Sequence, residues 1–134
     1  MVCIYCGSGT AVTNSRTQKQ NNSTWRRRRC KSCGAVTTSI EITDLSKSLV
    51  VTDRSGAFSG FQRYRLFLDV YDSLKHRKTA LEDAAALTDT IIQRILANSV
   101  AGSVRKQAII AATAQTLGAF DNIAATHYTA YHPV

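Results

Sequence analysis

With 134 residues, the chain has room for one ordinary domain, or for a small module joined to one compact helical domain. A formal charge of +8 points to a polyanionic partner, and no run of about 18 apolar residues is present to cross a membrane. No apolar leader precedes the first cysteine, so reduced thiols and a cytoplasmic protein are expected. The charge is uneven. Residues 1–49 hold eight basic residues against Glu41 and Asp44, whereas residues 50–134 hold nine basic against seven acidic ones. The positive field therefore belongs to the first third.

That third opens on a knuckle. Cys3-Ile-Tyr-Cys6-Gly7 and Cys30-Lys31-Ser32-Cys33-Gly34 repeat one C-x-x-C-G pattern with 23 residues between the pairs. Two thiolates two residues apart can grip one metal ion from a tight turn. The following Gly permits a positive φ that turns amide N–H groups back toward sulfur. Cys3, Cys6, Cys30 and Cys33 are the expected ligands of one structural zinc ion in a ribbon over residues 1–45. No His or carboxylate adjoins the pairs, so no ligand position is left for catalysis. Disulfides would need an oxidising compartment, and a redox pair would not arrive in duplicate inside a basic hairpin. A ribbon this small buries too little apolar area to fold unaided, so metal binding must supply much of its folding free energy.

Between the knuckles, Thr10–Thr13 is β-prone, 17–24 is a polar tip with a turn at Asn21-Asn22, and Trp25 leads into Arg26-Arg27-Arg28-Arg29. On a strand, Arg26 and Arg28 face one side and Arg27 and Arg29 the other. Four adjoining guanidinium groups repel one another unless a polyanion relieves them. Together with Arg16 and Lys31 they are the expected nucleic-acid contacts. Val36 to Ile42 reads as the closing strand, and 44–47 as a polar joint.

Leu49–Val51, a turn at 53–56 and Ala57-Phe58 read as a hairpin opening a second domain over 49–134. Four helical segments follow. Residues 62–75 place Tyr64, Phe67, Leu68, Tyr71 and Leu74 on one stripe; 79–97 begins on a Thr79…Glu82 capping box and turns Ala84, Leu87, Ile91 and Ile95 inward. Ser103 is expected to cap a third helix that stops at Gly118, and Asp121 to begin a fourth that Pro133 halts. The expected class is α+β: a Cys₄ ribbon, then a β-hairpin capped by about four helices.

Cys3, Cys6, Asn14-Ser15-Arg16, Arg26 to Arg29, Cys30, Cys33, Thr37-Thr38 and Glu41 together resemble the bacterial NrdR-type repressors of ribonucleotide reductase genes. The likeness continues more thinly through Val50-Val51, Gly56, Phe61, Arg65-Leu66, His76-Arg77 and Tyr131. The resemblance implies a ribbon that binds double-stranded operator DNA. It also implies an ATP-cone, whose ATP or dATP occupancy sets the homo-oligomeric state and hence repression. By the same resemblance Val51, Arg54, Arg65, His76 and Arg77 would meet the nucleotide. A gap-free match puts Asp53-Arg54 where the family carries a basic pair, Ser59 on its Glu and Arg65 on its Lys. Arg54 and Arg65 keep a positive charge for phosphates.

Two further readings of the residues stay open. Zinc ribbons also serve in RNA binding and in transcription or ribosomal assemblies, where the helical part would be a docking surface without nucleotide. An enzyme is not expected, because His76, His127 and His132 have no carboxylate at a spacing that suggests acid–base work.

Overall fold

The computed structural model describes residues 1–133, which fall into two compact units meeting at Thr43/Asp44. The first is a three-stranded antiparallel sheet of β1 (Thr10–Gln18), β2 (Ser23–Cys30) and β3 (Val36–Ile42), with β2 central. The strands reach further into the polar tip than expected. Ser23↔Gln18 still pair, and Asn22 takes the one left-handed position of the tip (φ 48°). A bulge at Thr13 shifts the β1–β2 register between Val12 and Asn14. Within this unit only Cys3, Ser23 and Cys30 are buried. It has no apolar core.

The joint at 44–47 is one helical turn, α1 (Leu45–Ser48), capped by Asp44 through Ser46 N–H. In the second unit β4 (Val50–Thr52) and β5 (Phe58–Gly60) form the expected hairpin. The hairpin is one part of a larger sheet. β6 (Ser103–Arg105) lies parallel to β4, giving the order β5-β4-β6. Ser103 therefore is not a helix cap. It opens a strand that pairs with residues some fifty positions earlier, and Val104 enters the core.

Four long helices complete the unit: α2 (Arg63–Ser73), α3 (Ala80–Asn98), α4 (Lys106–Phe120) and α5 (Asn122–Tyr131). α4 runs through Gly118 and stops two residues later, because Asp121 leaves the helical region (φ −157°) and caps α5. Thr79 makes no side-chain cap bond. Its hydroxyl donates to Asp83 at 2.6 Å instead, so the expected capping box is absent. α3 buries Ala84, Ile91 and Ile95 as its spacing requires, with Leu87 half-buried.

α2 is rotated relative to the expected stripe. Leu66, Val70, Ser73 and Leu74 go inward, Phe67 and Tyr71 are half-buried, and Tyr64 and Leu68 face solvent. Two apolar stripes run along this helix, and spacing alone does not rank them. The inner one packs on Phe61, Ala84 and Tyr128 in a single core. Among the described residues no helix is long and apolar enough to cross a membrane.

Candidate metal centre, basic face and helical cleft

Two knuckles bring the four sulfurs together. In the first, Cys3 N–H donates to Ser8 C=O at 2.7 Å and Tyr5 N–H to Cys3 Sγ at 3.4 Å. In the second, Cys30 N–H donates to Ala35 C=O at 2.9 Å, and the Ser32 and Cys33 N–H groups donate to Cys30 Sγ at 3.4 Å. Gly7 (φ 76°) and Gly34 (φ 72°) supply the left-handed residue that each return requires. All four Sγ atoms lie within 4.8 Å of one another, with Cys3–Cys33 at 3.7 Å and Cys6–Cys30 at 3.4 Å. A tetrahedron with metal–sulfur bonds of about 2.3 Å has edges of about 3.8 Å. The donor set therefore fits a tetrahedral metal ion.

The thiols share their protons unequally. The Ser8 N–H, helped by its hydroxyl and the Cys30 sulfur, lowers Cys6 to about 6. Cys3 is lowered too, first by the Cys6 N–H. At Cys33 the Ala35 N–H pulls downward, but neighbouring thiols led by Cys30, together with desolvation, push the group up to about 11. Four thiolates this close repel, so the last proton is held until a bound cation offsets the charge.

β2 carries the arginines as alternation requires. Arg26 and Arg28 lie on the face shared with Ser39 and Glu41: Arg26 pairs with Glu41 at 3.0 Å, and Arg28 Nε donates to Ser39 Oγ at 2.9 Å. Arg27 and Arg29 project from the opposite face and are exposed. Register puts Arg16 of β1 on that second face, directly across from Trp25. The Arg27 guanidinium lies over the Trp25 ring at 5.4 Å, which keeps the indole from being a bare base-stacking plate. Lys31 is exposed in the second knuckle, its N–H on Gly9 C=O at 3.3 Å. Arg16, Arg27 and Arg29 thus form one open cationic face without acidic partners.

A cleft of about 500 Å³ lies in the second unit between the β4–β5 hairpin, α2, α4 and α5. Val51 and Arg65 line it; Arg54, in the hairpin turn, does not. Lys106, Tyr128 and His132 also line it, contributed by helices that are remote from the hairpin in sequence. Asp53 sits at the cleft, yet its Oδ1 is taken up by its own turn, accepting from Ser55 N–H (2.9 Å), Ser55 Oγ (2.6 Å) and Ala57 N–H (3.1 Å). His132 stacks on Tyr128 at 4.1 Å, with Nε2 3.6 Å from Asp69.

His76 and Arg77 are not brought to this cleft. Both close on Asp121, His76 Nε2 at 2.9 Å and Arg77 at 3.0 Å, and Arg77 also holds Asp83 and covers the Phe120 ring. The fold therefore gives His76 the carboxylate that sequence spacing did not reveal, but that carboxylate is a helix cap, accepting from Ile123 and Ala124 N–H. The His76 contact, the Ala124 N–H and Arg77 hold the Asp121 carboxyl well below the usual range. A group lowered on folding contributes fully above its unfolded value, about 3.9 for Asp, and that contribution is lost as pH falls through the folded value. Asp121→Ala is expected to lower the melting temperature at neutral pH and to flatten the acid limb of a melting-versus-pH profile. An unchanged limb would remove this corner from the account of stability.

The arrangement defines a class: a metal-stapled basic ribbon joined to a small α+β unit with a cleft under a hairpin. The family described as "Transcriptional repressor NrdR-like, N-terminal domain" matches residues 1–41. Over longer stretches the chain is similar to proteins named Transcriptional repressor NrdR. With that of Methylorubrum extorquens it shares 31% identity over 133 residues, 98% of this chain and 71% of the relative. With that of Sphingopyxis alaskensis it shares 32% over 127 residues, 92% and 79% of the two chains. With that of Hyphomonas neptunium it shares 31% over 96 residues, 71% of this chain and 60% of the relative's length. The chain belongs to the NrdR family of transcriptional repressors. That family is one of repressors and not of enzymes, as expected of this chain, although the fold does set a carboxylate beside His76.

Proposed function

We propose that the protein is a zinc-dependent, DNA-binding transcriptional repressor of ribonucleotide reductase genes acting in the cytoplasm. Residues 1–45 bind the operator; residues 49–134 sense ATP or dATP and set the number of copies that assemble there. The observation that carries this reading is the open face of Arg16, Arg27 and Arg29 on a ribbon pinned by four converging sulfurs. Guanidinium groups on such a face neutralise phosphates and release counterions, and one or two of them can read guanine edges. One ribbon makes few contacts, so specific binding needs several ribbons on repeated half-sites. In the cleft, Val51 offers an apolar wall, while Arg65 and Lys106 supply charge for a triphosphate.

A second reading has one observation in its favour: the carboxylates of Asp53 and Asp69 at the same cleft oppose a polyphosphate. On that reading the ribbon binds RNA or a transcription or ribosomal assembly, and the helical unit only docks. Light scattering of zinc-loaded protein during ATP and dATP titration separates the two. Under the repressor reading at least one nucleotide binds and changes the molar mass. If neither binds and the mass stays fixed, the docking reading takes its place.

A further inference from the structure

On the outer side of α2, Tyr64 and Leu68 stand outside the unit's core, while Phe67 and Tyr71 beside them pack against it with part of their rings. Tyr64 is 80% and Leu68 56% exposed, and the stacked rings of Phe67 and Tyr71 border them half-buried. These positions follow the spacing of a helix face that lies against another helix, and the core is already filled by the opposite stripe. Large apolar side chains gathered on one exposed face mark a contact surface.

The charges beside this stripe indicate what covers it. Arg65 and Asp72 are both exposed and seven residues apart, so they stand on the same flank, two turns from each other. Arg65 has no ion-pair partner among the described residues, and Asp72 meets only Lys75, two residues past the end of α2, at 2.9 Å. A two-fold axis crossing α2 between Leu68 and Asp69 places two copies of the helix antiparallel. Arg65 and Asp72 lie symmetrically about that point, each about 5 Å along the helix at 1.5 Å per residue. Each Arg65 then meets the other copy's Asp72, the two Leu68 side chains meet near the axis, and Tyr64 of one helix interleaves with Tyr71 of the other. A self-complementary patch of this kind is what an isologous dimer contact requires.

We propose that the outer face of α2 is a homodimer interface in which a second copy packs antiparallel across Leu68, with reciprocal Arg65–Asp72 ion pairs fixing the register. The inference rests on the reading that copies of the chain associate, and it assigns the surface by which they do so. Arg65 also lines the cleft. An anion that engages this guanidinium in the cleft therefore competes with the partner's carboxylate, which links occupancy to assembly through one side chain.

The test uses full-length, zinc-loaded protein in sedimentation equilibrium, without nucleotide and with ATP or dATP. The variants are Leu68→Asp, Arg65→Asp, Asp72→Arg and the double exchange Arg65→Asp/Asp72→Arg. All three positions are exposed, and far-UV circular dichroism verifies that each variant folds. In every condition where wild type associates, each single variant is expected to weaken association about tenfold or more: Arg65→Asp and Asp72→Arg set like charges against one another twice, and Leu68→Asp brings two carboxylates together in the apolar centre of the contact. The double exchange is expected to restore it without nucleotide, which no contact within one helix can do at this spacing; with nucleotide, where Arg65 also serves the cleft, Leu68→Asp and Asp72→Arg carry the comparison. If wild type associates but Leu68→Asp and Asp72→Arg match it, or the double exchange stays as weak as its parents where wild type associates without nucleotide, the interface lies elsewhere and association itself stands. A wild type that is monomeric in all conditions overturns the oligomer reading as well as this surface.

Discussion

Replacing Cys30 with serine is expected to abolish metal loading and unfold the ribbon, leaving the helical unit folded. The reason is the distribution of burial. In residues 1–43 only Cys3, Ser23 and Cys30 are inside, while Val36, Ile40 and Ile42 lie exposed on β3. Apolar transfer therefore contributes little to this unit. In metal-dependent ribbons and fingers the metal contributes an apparent 10–16 kcal/mol at neutral pH, and that free energy is the folding free energy. Removing one of four ligands removes most of it. The second unit has its own core, from Leu49 through Val70 and Ile91 to Tyr128. Trp25 is the only tryptophan and lies in the ribbon, so its emission reports the first unit alone, while the far-UV helix signal reports the second. A strong chelator should likewise red-shift the emission of the wild type and leave the helix signal in place. If the Cys30→Ser protein keeps native tryptophan emission and slow ribbon amide exchange with no bound metal, the sulfur cluster is not what holds the strands.

The parts of the protein that were legible in the sequence are those whose signal is local. Two C-x-x-C-G knuckles state their chemistry within five residues each, and the conformation they demand appears at Gly7 and Gly34. The period of two along Trp25–Arg29 sorted the arginines correctly into facing pairs. It could not show which pair would be engaged, because Glu41 and Ser39 arrive from another strand. The misreadings came where partners are distant. Ser103 resembles a cap until β4 is placed beside it. Asp121 was legible as the start of α5, because its cap bonds to Ile123 and Ala124 N–H are local, but its contacts with His76 and Arg77 come only through the fold. The cleft was half visible: Val51 and Arg65 come from the hairpin and α2, while Lys106 and His132 reach it only through the fold. On α2, Tyr64 and Leu68 follow the periodicity of a core stripe and lie outside. That conflict between pattern and burial is what assigns them to a contact.

The largest effect on operator binding is expected from the triple variant Arg16→Ala/Arg27→Ala/Arg29→Ala. These side chains share the ribbon face without acidic partners, whereas Arg26 is held by Glu41 and Arg28 by Ser39. A phosphate contact adds about 0.9 to the slope of log affinity against log salt on duplex DNA, so losing three should flatten that slope by about 2 to 3. The accompanying loss of affinity is expected to reach about a hundredfold at moderate salt. Arg26→Ala/Arg28→Ala removes two charges of the same kind and is expected to cost less, since those groups already have partners to leave. Zinc content should be unchanged in both variants, because no ligand is touched. Tryptophan emission will shift in the triple variant for a local reason, the guanidinium over Trp25 being gone, so amide exchange is the better measure of ribbon integrity there. Affinities measured at four salt concentrations on one duplex bearing the protein's own promoter give both quantities. Should the paired variant lose more than the triple, or should the triple keep the wild-type slope, the DNA does not lie on the face that Arg16, Arg27 and Arg29 share.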